Sequence, residues 1–377
     1  MIYADHAATS PMGPAALQAY LQGARELWAN PSSLHGPGQR AKAAMEEARG
    51  QIARCLGANP REILFTSGGS EADNQALRTG AVLGAKAGKC HIVSTKIEHP
   101  AVLRTLEALR EEGFRVTLLD VDDLGRVDPG AVEAAIQEDT ALVSVMLANN
   151  EVGTLEPVRE IAALCRKRGI LCHTDAVQAV GQIPVNVEEL GVDLMSLSGH
   201  KFGGPKGVGA LYCRRGIQAA PLIRGGGQER GKRAGTEDVP GILAMAAALR
   251  EAAARMEESR AGLVTLRDRL AAGLLEIPGA RLNGDPANRL PGNVHISFRG
   301  VEGEALLVLL DQAGICASAG SACSSGSLEP SHVLRAMGVP EEYGRGSLRL
   351  TLGPENTMEE VECLIHTVEK AVIRLQK

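Results

Sequence analysis

The sequence predicts an α/β protein in which a mostly parallel, seven-stranded sheet lies between helices and a smaller α+β unit follows. Seven short apolar runs alternate with amphipathic segments from about residue 40 to residue 215, a pattern typical of βαβ units. A long helical pattern over residues 239–275 then separates this part from further strands and helices. Apolar residues make up 44% of the 377 residues, which is ample for a sizeable core.

Each strand and helix is predicted from the sequence pattern of its own segment. The predicted strands of the sheet are, in chain order, Glu62–Phe65, His91–Ser94, Val116–Leu119, Leu142–Leu147, Ile170–His173, Leu194–Leu197 and Val208–Tyr212. Segments rich in Ala, Glu and Arg between them, such as Ala101–Glu112 and Val158–Arg168, predict the crossing helices. The strands and helices predicted for the smaller unit are Asn293–Phe298, Ser347–Leu352, Glu304–Gln312 and Met358–Leu375. Ligands of parallel sheets bind beyond the carboxyl ends of the strands, so residues that follow these strands are site candidates.

Composition narrows the class of function. Charged residues make up 23% of the chain and the net charge is −5, so we expect neither nucleic acid nor a membrane as a partner. The N-terminus lacks the pattern of a signal peptide, and no run approaches the length of a membrane span. The eight cysteines include no C-x-x-C pair, so we expect reduced thiols, no zinc site and a cytoplasmic protein.

The first candidate segment runs from Thr66 to Asn74, where a strand gives way to a glycine turn and then to a helix. Exposed backbone N–H groups at such a helix start, with hydroxyl groups alongside, can bind an anion. An ordinary turn with a serine cap is the alternative. No Walker lysine and no G-x-G-x-x-G pattern follow, so the segment supports neither an NTPase nor a dinucleotide fold.

Four polar residues follow other predicted strands. Asp175 ends an apolar run, where a buried carboxylate needs a cation such as a protonated ring nitrogen. The alternative is that Asp175 is the N-cap of a helix. Gln178 lies on the same side if a helical turn begins there. His99 either lies on the surface or stacks on a flat ring and moves protons. The amide of Asn150 binds a carboxylate or a ring oxygen, unless the segment is a simple turn.

Lys201, Cys323 and Arg349 complete the set of candidates. Lys201 lies in a glycine-rich turn after a strand and is either a surface lysine or a nucleophile with a lowered pKa. Cys323 lies in a Gly/Ser-rich segment that predicts an exposed loop, which suits a nucleophile. Arg349 alternates with apolar residues on a strand and is either on the solvent face or a fork for a carboxylate.

Taken together, these candidates describe one site for pyridoxal phosphate bound to an amino acid. That ligand requires an anion cradle, a partner for its ring nitrogen, a stacking histidine and a carboxylate fork. It also requires a lysine that forms a Schiff base, for which Lys201 is the candidate, while Asp175 pairs with the pyridinium nitrogen.

The motifs also resemble a known family. Ser198-Gly199-His200-Lys201, with Asp175-x-x-Gln178 upstream, resembles the class V aminotransferase group of fold-type I pyridoxal phosphate enzymes. Within that group the chain resembles the cysteine desulfurases of the NifS/IscS type, with matching segments along nearly its whole length. Departures are small: His6 and Gly69-Ser70 stand where other residues are common. Longer relatives carry a C-terminal extension used in scaffold docking, so the resemblance leaves the partner open.

The resemblance implies a homodimer in which residues 16–258 form a large cofactor-binding domain and residues 1–15 and 259–377 a small domain. Lys201 would hold the cofactor and move the substrate Cα proton, and His99 would stack on the ring and act as acid and base. Asp175 would pair with the ring nitrogen and Gln178 with the ring oxygen. The implied phosphate ligands are Gly69, Ser70, Ser198, His200 and, from the other subunit, Thr236. The implied ligands of the substrate carboxylate are Asn150 and Arg349.

The resemblance further implies the reaction. The Cys323 thiolate would attack the sulfur of L-cysteine, giving a persulfide and L-alanine, for delivery to an iron–sulfur scaffold or a tRNA-thiolation enzyme. An ordinary thiol pKa near 8.5 leaves a minority as thiolate, so a proton acceptor such as His99 is needed. No resident metal is expected, although Cys323 could be a transient ligand of a bound iron–sulfur cluster.

Three alternatives are weighed against the desulfurase. Another class V aminotransferase-like enzyme needs no nucleophilic cysteine, so Cys323 argues against it. A non-catalytic partner scaffold need not keep Lys201, Asp175, His99 and Cys323 together. The sequence leaves open a selenocysteine lyase.

Overall fold

A computed structural model describes residues 1–319 and 331–376. Its strands are, in chain order, β1 (Ile2–Tyr3), β2 (Ile63–Thr66), β3 (His91–Thr95), β4 (Arg115–Leu119), β5 (Thr140–Ser144), β6 (Leu171–Asp175), β7 (Leu194–Ser198), β8 (Gly209–Cys213), β9 (Ala280–Asn283), β10 (Asn293–Phe298), β11 (Ile315–Cys316) and β12 (Ser347–Thr351). Its helices are α1 (Pro14–Glu26), α2 (Gly36–Leu56), α3 (Gly69–Lys86), α4 (Pro100–Glu111), α5 (Pro129–Ala135), α6 (Val158–Arg168), α7 (Val187–Leu190), the single turn α8 (Gln228–Gly231), α9 (Val239–Ala254), α10 (Met256–Leu275), α11 (Gly303–Gln312), α12 (His332–Ala336), α13 (Glu341–Gly344) and α14 (Met358–Leu375).

Within the described residues, seven strands form the central sheet in the order β2-β8-β7-β6-β5-β3-β4. Strands β3 to β7 pair in parallel, and β8 runs antiparallel to both β2 and β7. A second sheet has the antiparallel order β12-β10-β9, and β1 pairs in parallel with β11. The predicted fold class, a mostly parallel seven-stranded sheet with a smaller α+β unit, is confirmed.

The long helical pattern over residues 239–275 is not one helix. It breaks at Arg255, whose φ of −104° and ψ of 4° are not helical. The two parts pack against different partners: α9 against α1 and α2, and α10 against α14 and β10. The prediction of a continuous helix was wrong because tertiary packing, rather than a glycine or proline, ends α9.

Residues of α9 and residues of α10 belong to two different apolar clusters. The larger one packs Met195 and Leu197 of the central sheet against Ile242 and Leu249 of α9. The other contains Phe298, Leu350 and Leu364, with apolar residues of α10. The predicted domain limits at residues 15/16 and 258/259 stay a prediction. No helix within the described ranges combines the length and apolar character needed to cross a membrane.

A buried ion pair fixes the turn α8 against the central sheet. Both amino groups of the Arg49 guanidinium donate to the Glu229 carboxylate, at 2.7 and 2.6 Å, and the backbone N–H of Phe65 donates to it at 3.0 Å. Both side chains are almost fully buried. Glu229 and Arg230 adopt left-handed backbone angles (φ of 46° and 60°), which cost energy in residues other than glycine. The ion pair and the amide contact offset that strain.

We therefore expect Glu229→Gln to lower the free energy of unfolding by up to about 3–5 kcal/mol, because it removes the buried carboxylate and leaves Arg49 only the half-exposed Glu46 as a counterion. Urea unfolding followed by circular dichroism measures the change. Glu46→Gln is the matched control: Glu46 also bonds to Arg49, but its side chain is half exposed, and we expect about 1 kcal/mol or less. Equal losses in the two variants would contradict the assignment of the stabilisation to the buried pair.

Candidate active site

The ends of the parallel strands bring the candidate residues to one edge of the central sheet. Asp175 is the last residue of β6, and Lys201 closes a short 3₁₀ turn directly after β7. His99 caps the start of α4, shortly after β3. The charges of Asp175 and Lys201 both act on the imidazole of His99, which places the three groups near one another.

The N-terminal segment holds the lysine. Lys201 Nζ donates hydrogen bonds to the carbonyl oxygens of Ala7 at 2.5 Å and Ala8 at 2.9 Å. Gln178 Nε2 donates to the same Ala7 oxygen at 3.0 Å. The Ser10 hydroxyl donates to the carbonyl of His200 at 2.7 Å and accepts from Gly203 N–H at 2.8 Å, so it fixes the turn on both sides of Lys201.

Asp175 is a buried carboxylate that suits a cationic ligand. Its Oδ1 accepts a hydrogen bond from Val177 N–H at 2.8 Å. Burial raises the pKa of Asp175, while His99 and Lys201 lower it. A protonated heterocyclic nitrogen would stabilise the ionised form, since a buried carboxylate is costly without a positive partner.

The start of α3 has the geometry expected of the predicted anion cradle, whose role stays a prediction. Gly68 has a φ of 153°, a conformation that favours glycine, and a Cβ built on Gly209 would lie 2.7 Å from the Gly68 Cα. The buried Ser198, at the end of β7, has its hydroxyl beside the same turn, 3.7 Å from a Cβ built on Gly68. Backbone N–H groups and a hydroxyl thus meet at the N-terminus of an eighteen-residue helix, which suits an anion such as phosphate.

The other predicted phosphate ligands differ in their burial and in their contacts. Gly69 is buried in the first turn of α3, and Ser70 next to it is exposed. His200 Nδ1 is 3.1 Å from the Thr9 hydroxyl, and burial lowers the pKa of His200 to about 4. Thr236 is exposed on the chain's surface.

The imidazole of His99 is held as a neutral base. Its Nδ1 accepts a hydrogen bond from Ala101 N–H at 3.1 Å, so the proton of the neutral ring is on Nε2. Burial lowers the pKa of His99; Asp175 raises it, and Lys201 and His332 lower it further. A neutral His99 can accept a proton at physiological pH.

Arg349 faces inward, which excludes the solvent-face interpretation and leaves the carboxylate fork as a prediction. Its side chain is almost fully buried, with Nη1 donating to the carbonyl of Asn150 at 2.9 Å and Nη2 bonded to Asp5 at 3.0 Å. Within the part of the chain that the structure describes, Arg349 Nε has no hydrogen-bond partner. A buried guanidinium with an unused donor can bind a carboxylate.

Three further residues of this edge were not among the predicted site residues: Glu98, Glu151 and His332. Glu98 Oε1 accepts from the Thr95 hydroxyl at 2.7 Å and from Met146 N–H at 3.1 Å, and burial raises the pKa of Glu98 to about 8. A glutamate between Ile97 and His99, shortly after a strand, was the signal that could have singled it out. His332 is far away in sequence and carried no such signal.

Cys323 lies outside the described residues, so its role stays a prediction. Among residues 1–319 and 331–376, no three His, Cys, Asp or Glu side chains come together as metal ligands.

Comparison with known proteins agrees with the fold. The family model for aminotransferase class-V matches residues 2–364. The chain is similar to the cysteine desulfurase IscS of Methanosarcina thermophila, with 50% identity over 375 residues that cover 100% of this chain and 93% of that protein. A solved NifS-like protein superposes with a TM-score of 0.93 at 40% identity, covering 99% of each chain. SspA, solved in complex with cysteine, superposes with a TM-score of 0.82 at 34% identity, covering 95% of this chain and 100% of that one.

The match to the family model and the full-length relatives confirm the resemblance inferred from the motifs. The chain belongs to the aminotransferase class-V family and, within it, to the cysteine desulfurases of the NifS/IscS type.

Proposed function

We propose that this protein is a pyridoxal-phosphate-dependent cysteine desulfurase that converts L-cysteine to L-alanine and receives the sulfur on Cys323 as a persulfide. The observation that carries the proposal is the position of Lys201 and the buried Asp175 at the ends of the adjacent parallel strands β7 and β6. The relatives support the chemistry, since one is a cysteine desulfurase and another was solved with cysteine.

The residues present fit the cofactor. Lys201 would hold it covalently, the Asp175 carboxylate would face its ring nitrogen, and the Gly68–Ser70 turn with Ser198 and His200 would take its phosphate. Gln178 would contact the ring oxygen. When bound, the cofactor supplies an electron sink that makes the substrate Cα–H acidic.

The chain's own residues would handle the substrate and its protons. Arg349 and Asn150 orient the substrate carboxylate, and Lys201 Nζ moves the Cα proton. His99, neutral and buried, accepts the proton of the Cys323 thiol. The Cys323 thiolate then forms an S–S bond to the substrate sulfur as the substrate Cβ–S bond breaks. Protonation of Cβ completes alanine, so one L-cysteine yields one alanine and one persulfide.

A homodimer is part of the proposal. Thr236 is exposed on the single chain, as suits a residue that contributes to a phosphate site in a second subunit. Helix α1 and the loop after it leave large apolar side chains in solvent, including Leu17, Leu21, Trp28 and Leu34. Burying such a patch against a second copy would be favourable.

An iron–sulfur scaffold or a tRNA-thiolation enzyme is the proposed sulfur acceptor, and a cytoplasmic location stays a prediction.

The test is product analysis with the cofactor-loaded protein. Incubation with L-cysteine and a thiol reductant should release sulfide and alanine in equal amounts. Absence of both products would overturn the proposal. Turnover of L-selenocysteine without turnover of L-cysteine would identify a selenocysteine lyase instead.

We expect Arg349→Lys to raise KM for L-cysteine by roughly 10- to 100-fold, the effect of losing a charged hydrogen bond to the carboxylate. Lysine keeps the charge that faces Asp5 but lacks the planar fork. Steady-state kinetics of alanine formation measures the change. Arg281→Lys, on β9 of the same three-stranded sheet, is the matched control and should leave KM unchanged. An unaltered KM in Arg349→Lys would remove this residue from substrate binding.

A further inference from the structure

Two residues that directly follow residues 320–330 are bonded to the site edge of the central sheet. The Ser331 hydroxyl donates a short hydrogen bond to Glu151 Oε2. His332 Nε2 donates to the backbone carbonyl of Glu98 at 3.0 Å. Their partners are neighbours of proposed site residues, since Glu98 directly precedes His99 and Glu151 directly follows Asn150.

Apolar packing secures these contacts. Val333 and Leu334, the next residues of α12, are fully buried. They pack in one cluster with Ile97, Met146 and Val152, which lie at the ends of the strands of the central sheet. Helix α12 is therefore docked on the sheet through its core side chains, and the two hydrogen bonds set its register at the site.

The Glu151 carboxylate is buried, which gives the Ser331 contact more weight than a surface hydrogen bond. Burial raises the pKa of Glu151, while Ser331, His332 and Arg349 lower it. Among the described residues, Glu151 Oε1 has no hydrogen-bond partner. Burying an acid with one oxygen unpaired costs free energy, so the contact is a specific feature of this edge and not a chance surface pair.

The chain is also fixed on the other side of residues 320–330. Ser318 and Arg349 exchange two backbone hydrogen bonds, with Arg349 N–H donating to the Ser318 carbonyl at 2.6 Å and Ser318 N–H donating back at 3.2 Å. The stretch of sequence that contains Cys323 is therefore flanked by fixed residues on both sides. On one side the chain lies beside a proposed substrate ligand, and on the other side it lies beside His99.

We propose that Ser331 and His332 are positioning residues for sulfur transfer, and that they act by fixing this re-entry point against Glu151 and the Glu98 carbonyl. The inference rests on the proposed function, because it concerns the step in which sulfur reaches Cys323. Neither side chain needs to touch the substrate. Each acts through the partner that lies next to Asn150 or His99.

The test uses the full-length, cofactor-loaded enzyme and separates transfer from binding. We expect Ser331→Ala and His332→Ala each to lower kcat for sulfide release by roughly 10- to 100-fold, the effect of a small misplacement of reacting groups. KM for L-cysteine and the visible absorption of the bound cofactor should stay unchanged. His332→Gln keeps an N–H donor and should recover most of kcat. His366→Gln, an exposed histidine on α14, is the matched control.

A double-mutant cycle tests the pairing itself. Ser331→Ala combined with Glu151→Ala should be no slower than the worse single variant, because both changes remove the same hydrogen bond. Unchanged kcat in Ser331→Ala and His332→Ala would overturn the inference. A fall in kcat accompanied by loss of cofactor absorption or a raised KM would also overturn it, since that pattern marks a general structural role. Absence of sulfide release from the unmutated enzyme would instead overturn the proposed function, and the inference with it.

Discussion

A Lys201→Ala protein should be colourless as purified and should release no sulfide from L-cysteine. The Lys201 amine is the group that would bind the cofactor covalently and move the Cα proton, and losing such a group costs at least about 10²- to 10⁴-fold in rate. The measurements are the visible absorption spectrum and alanine formation, with circular dichroism to check folding.

Lys206→Ala is the control for this experiment, because Lys206 is an exposed lysine a few residues further along the same loop. It should keep both the colour and the activity of the unmutated protein. A Lys201→Ala protein with an unchanged spectrum would refute the assignment of the cofactor lysine. It would also leave the contacts of Lys201 with the Ala7 and Ala8 carbonyls as a purely structural feature.

Cys323→Ser should abolish sulfide release while it leaves the cofactor spectrum intact. A hydroxyl cannot replace the thiolate as the sulfur acceptor at neutral pH, so the reaction should stop before transfer. Sulfide assay, alanine assay and absorption spectroscopy on one preparation separate transfer from cofactor binding.

Cys363→Ser is the matched control, because Cys363 is an exposed cysteine on α14. It should retain full activity. Sulfide release at the unmutated rate in Cys323→Ser would place the nucleophile elsewhere, and Cys316 on β11 would be the next candidate.

Strong local patterns made part of the fold predictable. The strand Asn293–Phe298 and the helices Val158–Arg168 and Met358–Leu375 have the predicted bounds. In the last case Thr357 and Glu360 form a capping box that marks the helix start in the sequence itself. The break at Arg255 carried no such mark, because it depends on which surfaces α9 and α10 cover.

The candidate site, like the fold, combines features that the sequence predicts with features that depend on long-range packing. Asp175 and Lys201 were expected at one site because both follow predicted strands of a mostly parallel sheet, and the structure brings them to the same edge. The lysine's carbonyl partners in the N-terminal segment are almost two hundred residues distant, and periodicity carries no information about such contacts. The inward direction of Arg349 and the contact of His332 with the Glu98 carbonyl depend in the same way on long-range packing.

The N-terminal segment has a consequence for how the protein is made. It is synthesised long before its partners, since β1 pairs with Ile315–Cys316 and Asp5 bridges to Thr351 on β12. The Ala7 and Ala8 carbonyls that hold Lys201 belong to this same segment. A growing chain therefore cannot complete the site until nearly all of it has been synthesised, although the central sheet can form earlier. A product truncated before β11 and β12 would therefore lack the strand pairing that places the Ala7 and Ala8 carbonyls beside Lys201.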